Sequence, residues 1–527
     1  MREPELLLLV LMVAVGGLSV LAGTIRVPYP ILLVLGGLVL GFLPGVPPAE
    51  LPPDLVLVLF LPPLLYQTAF FSSPRDLRAD ARAITLLAVG LVLATMSAVA
   101  AAAHTVVGGL PWAAAFTLGA IVAPTDPLAA TAIARRLGVP RRLVTVLEGE
   151  SLVNDASALV AYRLAVAAVV AGSFSLWGAG LQFVGRGIGG VAIGLAVGWL
   201  IAEARRRIED PVVEIVLSVV TGYAAYLPAE LMGASGVLAA VTAGLYVGWR
   251  APELASPSTR LLGFSFWEVL VYLLNAVLFV LVGLQLHPIL TGVSGSSAAV
   301  LLGQAALVSA VVIAVRIVWG FTVPYLVRAL DRRPAQRARR VGARERLVAS
   351  WSGMRGAVSL AAALALPLET STGQPFPQRN LIIFVTFGVI FATLVLQGLS
   401  LPWLIRRLGL HRDDSEEQEE LRGRLRATDA ALTRLEELAV QEWTREDTVQ
   451  RMRGLYQFRR RRLKARAGYL ADDGVQDRSL AYQRLVRELL EAQRREIVRL
   501  RNQGQISNEV MHRIERDLDL EDSRLEI

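Results

Sequence analysis

The chain has 527 residues, 54% hydrophobic and 19% charged, against about 25% charged in ordinary soluble domains. The charge is concentrated at one end, since residues 411–527 hold 24 of the 53 basic and 25 of the 45 acidic groups. A disordered chain and a soluble fold are thereby excluded for residues 1–410, where apolar runs of about 18 or more residues recur as in polytopic helical membrane proteins.

No Cys is present, and the four His are His104, His287, His411 and His512. Disulfides, thiolate nucleophiles and zinc catalysis are therefore not expected, and neither an enzyme nor a resident cofactor is. A pI near 10.1 would ordinarily suggest nucleic acid. Here the basic residues lie in connections between apolar spans, and no nucleic-acid partner is expected.

Hydropathy and Pro/Gly punctuation predict thirteen transmembrane spans, at about 5–23, 29–43, 54–71, 83–105, 111–134, 148–171, 179–202, 212–231, 234–249, 266–286, 298–327, 346–368 and 380–404. The first segment carries Glu3 and Glu5 against Arg2, the wrong charge for a signal peptide, and reads as a helix. Connections after odd-numbered spans contain 21 Arg, while those after even-numbered spans contain one, Arg379. The positive-inside rule then puts the N-terminus outside and the C-terminus in the cytoplasm of a cell (inner) membrane protein. Residues 411–527 open on the acidic run Asp413–Glu420 and repeat Leu at helical spacing from Leu421 to Leu438 and from Leu485 to Leu500. They are expected to form a cytoplasmic helical tail with a regulatory role. The run Arg459–Arg462 with Lys464 and Arg466 reads as a solvated face or as contact with anionic lipid.

Polar groups inside the membrane are costly and mark a pathway or a partner. In the fifth span, Ala123-Pro124-Thr125-Asp126-Pro127 contains two prolines that cannot donate. The carbonyls of Ala120 and Ala123 lose their helical partners, and the helix should break near Thr125. Asp126 before Pro127 suits either an N-cap of the second half-helix or direct contact with an ion. In the sixth span, Ser151 and Asp155 share one helical stripe, with Glu150 and Asn154 on the next. Such oxygens suit a hard cation such as sodium, and a carboxylate can hold a proton instead. Glu150 reads equally as an ion contact or as a charge-balancing partner. In the twelfth span, Gly353-Met354-Arg355-Gly356 suggests a second break, with Glu150 as the expected ion-pair partner of Arg355. Arg163, Glu230, Glu268 and Arg316 read as structural pairs or snorkelling side chains. Breaks in spans five and twelve correspond if spans one to six and eight to thirteen form inverted repeats around a midplane site.

These residues resemble the first family of monovalent cation/proton antiporters, that of NhaP-type bacterial proteins and animal sodium/proton exchangers. The similar segments are Leu61-Pro62-Pro63-Leu64-Leu65, Thr125-Asp126-Pro127, Glu150 to Asp155, Ala229-Glu230 with Ser235-Gly236, Phe279 to Gly283 and Gly353 to Ala357. The resemblance implies a site in which sodium and a proton alternate on Asp155, assisted by Ser151 and Thr125, with Asn154 ordering the broken helices. It also implies a Glu150–Arg355 pair, a homodimer, and elevator motion of a six-helix core. Potassium or lithium are the other candidate cations. A cation channel or a sodium-coupled organic anion symporter are the competing classes.

Overall fold

The structure is a computed structural model that describes residues 3–25, 28–44, 46, 53–172, 175–292, 297–331, 341–410, 415–469 and 474–525. Arg26, His411, Arg332 through Arg340 and the start of the acidic run, Asp413 and Asp414, lie outside the described residues. The chain divides into two units, Met1–Arg412 and Asp413–Ile527.

The first unit is helical, and among its described residues seven helices are long and apolar enough to cross a membrane: Ala81–Val106, Arg141–Ala171, Trp177–Arg205, Pro211–Leu231, Pro257–Leu290, Ala298–Ala329 and Arg379–Leu408. Shorter apolar helices add Leu9–Ile25, Tyr29–Gly41, Val56–Phe71 and Trp112–Val122. Many large apolar side chains face outward, among them Trp177, Ile188 and Trp199, as a lipid-facing surface requires.

Two helices are interrupted where Pro and Gly fall within an apolar run. Trp112–Val122 stops before Ala123, and Leu128–Arg136 resumes after Pro127. Ala343–Trp351 stops before Ser352, and Ala357–Leu364 resumes after Gly356. The interrupted helices share one apolar core with Arg141–Ala171, Ala298–Leu330 and Arg379–Leu408. A second group, Pro53–Phe71, Leu176–Arg205, Pro211–Leu231 and Gly236–Leu254, packs together and meets Arg141–Ala171 through Leu61, Leu65, Leu152, Ala156 and Tyr226. Tyr29–Gly41 lies tightly on Pro257–Leu284, because Gly37 faces the Val280 carbonyl and Gly283 faces the Val34 carbonyl, positions where a Cβ has no room.

Two wide π turns adjoin the core, at Leu86–Leu91 and Thr393–Gln397. Each carries a polar group that bonds across the core. Ser157 Oγ donates to the Ala88 carbonyl, and Thr393 Oγ1 accepts the Arg355 amide at 3.1 Å.

The second unit contains Ser415–Ala439, Glu446–Arg466, Val475–Asn502 and Asn508–Leu525. Leu421, Leu425 and Leu463 close the first hairpin, beside a two-pronged Arg453–Glu436 pair. Leu490, Ile497, Met511 and Leu518 close the second, flanked by Arg494 on Asp519 at 2.8 Å.

Candidate functional site

The two breaks lie against each other. With Pro124 and Pro127 unable to donate, the irregular segment between them bonds to the other break, and the Asp126 amide donates to the Met354 carbonyl at 2.8 Å. That contact takes the amide that would otherwise have served the Val122 carbonyl in a continuous helix. The Asp126 carboxylate folds forward instead and accepts the Leu128 amide at 2.9 Å, capping the second half-helix. It also fills the space beside Gly356, where a Cβ would collide with the carboxylate.

Arg355 occupies the negative ends of both first half-helices. Its Nε donates to the Val122 carbonyl at 3.0 Å and its Nη1 donates to the Gly353 carbonyl. Its residue is 1% exposed. A guanidinium there satisfies orphaned carbonyls and opposes two helix dipoles at once. The expected Glu150–Arg355 ion pair is not formed, and among the described residues Arg355 makes no ion pair.

Glu150 pairs with Arg316. Arg316 Nη1 lies 2.5 Å from Glu150 Oε1 and Nη2 lies 2.9 Å from Oε2, a two-pronged pair with both side chains at most 3% exposed. Arg316 also donates to the Ala349 carbonyl through Nε at 3.4 Å and Nη2 at 3.3 Å, beside the second break. Its side chain passes where Gly353 leaves no Cβ in its way. Arg316 therefore supplies the charge compensation expected of Arg355, from a different helix. Of the other intramembrane charges, Arg163 pairs with Glu230 at 2.5 Å, and Glu268 is exposed.

Thr125 links these parts. Its hydroxyl donates to Glu150 Oε1 at 2.9 Å and accepts from Asn154 Nδ2 at 2.9 Å, while its carbonyl accepts the same amide at 3.3 Å. Thr125, at the first break, is thus tied to two consecutive turns of Arg141–Ala171. Asn154 is 1% exposed, and its Oδ1 has no hydrogen-bond partner among the described residues.

Asp155 is placed differently from every other buried carboxylate. It is 9% exposed and makes no hydrogen bond or ion pair among the described residues. It lines a cavity of about 240 Å³ together with Ser151, Thr125, Asp126, Pro124 and Asn275. The cavity extends to Ser72, Arg135 and Glu148, at the end of the bundle where Arg141–Ala171 begins. An unpaired carboxylate with a hydroxyl and a backbone break beside it can take up either a proton or a small hard cation. Among the described residues no cluster of three or more His, Asp or Glu forms a metal site of the transition-metal kind.

Two interrupted helices set against each other and apolar helices long enough to cross a membrane mark a multi-pass membrane protein. The family described as sodium/hydrogen exchanger, transmembrane, matches residues 9–407. The chain belongs to that family. It is 38% identical to an uncharacterized sodium/proton exchanger of Mycobacterium tuberculosis, over 98% of this chain and 95% of the relative. It is 34% identical to a sodium, potassium, lithium and rubidium/proton antiporter of Bacillus subtilis, over 72% of this chain and 58% of that one. The sodium/proton antiporter MjNhaP1 of Methanocaldococcus jannaschii shares the fold, with a TM-score of 0.58 at 21% identity, covering 77% of this chain and 99% of that structure.

Proposed function

We propose that the protein is a secondary antiporter that exchanges sodium for protons, with the two competing for Asp155 and with Ser151 and the Thr125 carbonyl as further cation ligands. The observation that carries this reading is the unpaired Asp155 carboxylate in its cavity, one residue from Asn154 and one turn from the neutralised Glu150. Asn154 orders the first break through Thr125, and Glu150 is the partner of Arg316 and not an ion ligand. Asp126 acts as the cap of its half-helix and forms one wall of the site. Lithium and potassium are the alternative cations, a breadth that the name of the Bacillus relative supports.

Thirteen crossings follow from hydropathy and Pro/Gly punctuation, and the distribution of Arg puts the Arg135 end of the cavity in the cytoplasm. In that orientation the cavity opens inward. The carrier works by alternating access, as an elevator in which the broken helices and Arg141–Ala171 move against the second helix group, and as a homodimer. With Glu150 neutralised and Asp126 engaged as a cap, Asp155 is the one group that trades its proton, so exchange is one for one and electroneutral.

Reconstitution into sealed liposomes tests this. Addition of sodium should dissipate an imposed proton gradient at a rate and to an end-point that do not follow a voltage clamped by valinomycin and potassium. Current without countertransport would indicate a channel, and a requirement for an organic solute would indicate a symporter. A voltage-dependent end-point would mean that exchange is not one for one.

A further inference from the structure

Beyond Asp155, Arg141–Ala171 continues away from the cavity mouth, and eight residues on, a distance of about 12 Å along the axis, it presents Arg163. Arg163 Nη2 lies 2.5 Å from Glu230 Oε2, at the far end of Pro211–Leu231. The two elements belong to different helix groups, one bearing the site and the other packed against it. Between Asp155 and this pair lies an apolar layer, in which Ala156 and Leu159 meet Leu61, Tyr226 and Val237.

Glu230 is fixed within its own group before it reaches Arg163. Its Oε1 accepts the Gly236 amide at 3.0 Å. That fold-back requires glycine, because a Cβ at Gly236 would approach Glu230 Cγ at 2.8 Å and the Tyr226 ring at 2.9 Å. The carboxylate is thus held ready on the stationary side, and the guanidinium comes from the helix that bears the ion site. The side chains are 37% and 21% exposed, so the pair sits at the rim of the apolar layer and not inside it.

We infer that Arg163 and Glu230 form a latch that closes the carrier on the side opposite the cavity mouth, and that the latch opens each time Asp155 is exposed to that side. The inference rests on the alternating-access reading above. A carboxylate fixed on one group and a guanidinium on the other can remain paired only while the two groups keep their present register. The layer beneath is built on small and aliphatic side chains such as Ala156 and Leu159, and the Arg163–Glu230 pair is a charged contact that sliding must sever. A partly exposed pair makes a weak latch, which suits a step repeated in every cycle.

The absence of Cys from the chain allows a direct test. A single reporter, Leu159→Cys, with Ala156→Cys as a second, is labelled from the outer side of right-side-out vesicles by a membrane-impermeant maleimide. Glu230→Gln keeps an acceptor for the Gly236 amide but removes the charge, and it should speed labelling about two- to fivefold, the range for losing a partly exposed ion pair. Arg163→Gln should do the same, and the double variant should add nothing, because both changes break one contact. Labelling unchanged in both single variants, or increases that multiply in the double, would overturn the latch. The readout is access and not ion specificity, so loss of sodium-driven flux with the labelling pattern intact would count against the exchange reading and leave the latch standing.

Discussion

Asp155→Asn is expected to reduce sodium-driven proton flux to the level of protein-free liposomes while the protein folds and inserts normally. The amide has the shape of the carboxylate but neither trades a proton at physiological pH nor offers a charge to a cation. Asp155 makes no hydrogen bond or ion pair among the described residues, so its substitution leaves no partner stranded and the cost should fall on transport alone. The measurement is acridine-type dye recovery in proteoliposomes at matched protein content, with size-exclusion profiles as the control for folding. Near-normal flux in the variant would exclude Asp155 as the exchanging group.

Arg316→Ala is expected to have the second largest effect, on stability. It would strand the Glu150 carboxylate, 1% exposed, in a low-dielectric interior, and removing one partner of a buried pair costs about 3–5 kcal/mol. Folded yield and thermal stability in detergent should both fall sharply. The neutral pair Arg316→Met with Glu150→Gln should recover much of the loss, because glutamine can still accept the Thr125 hydroxyl now held at 2.9 Å. Arg355→Ala should behave differently. It exposes the Val122 and Gly353 carbonyls, unpaired buried groups that cost about 1–3 kcal/mol each, and no change at Glu150 should rescue it. If Glu150→Ala rescued Arg355→Ala and not Arg316→Ala, the pairing found here would be wrong.

The contrast between Arg316 and Arg355 shows what the sequence can and cannot display. The helix breaks were readable because their cause is local: Pro124 and Pro127 delete two donors within one turn, and Gly353 and Gly356 flank the second interruption. Ser151 and Asp155 could be set on one stripe from helical periodicity alone. The partner of Glu150 could not, since it comes from 166 residues away and depends on which helix packs beside Arg141–Ala171. Arg316 was visible as a charge in an apolar span, and that was its only signal. Arg355 was assigned a carboxylate because a sequence displays charges and hides orphaned carbonyls, which are created only when the half-helices form. The two π turns, and the use of the Ala88 carbonyl by Ser157, have no counterpart in composition or spacing.

The central claim is that one carboxylate holds sodium and a proton in alternation. It is tested most directly by initial rates of sodium-driven exchange, measured over a range of sodium concentrations at several pH values set equal on both sides of the liposome membrane. Competition for Asp155 predicts that the KM for sodium rises as pH falls, approaching about tenfold per pH unit once the carboxylate is mostly protonated, while over that acidic range the maximal rate at saturating sodium stays constant. A KM independent of pH, with acid lowering only the maximal rate, would mean that proton and sodium occupy different sites.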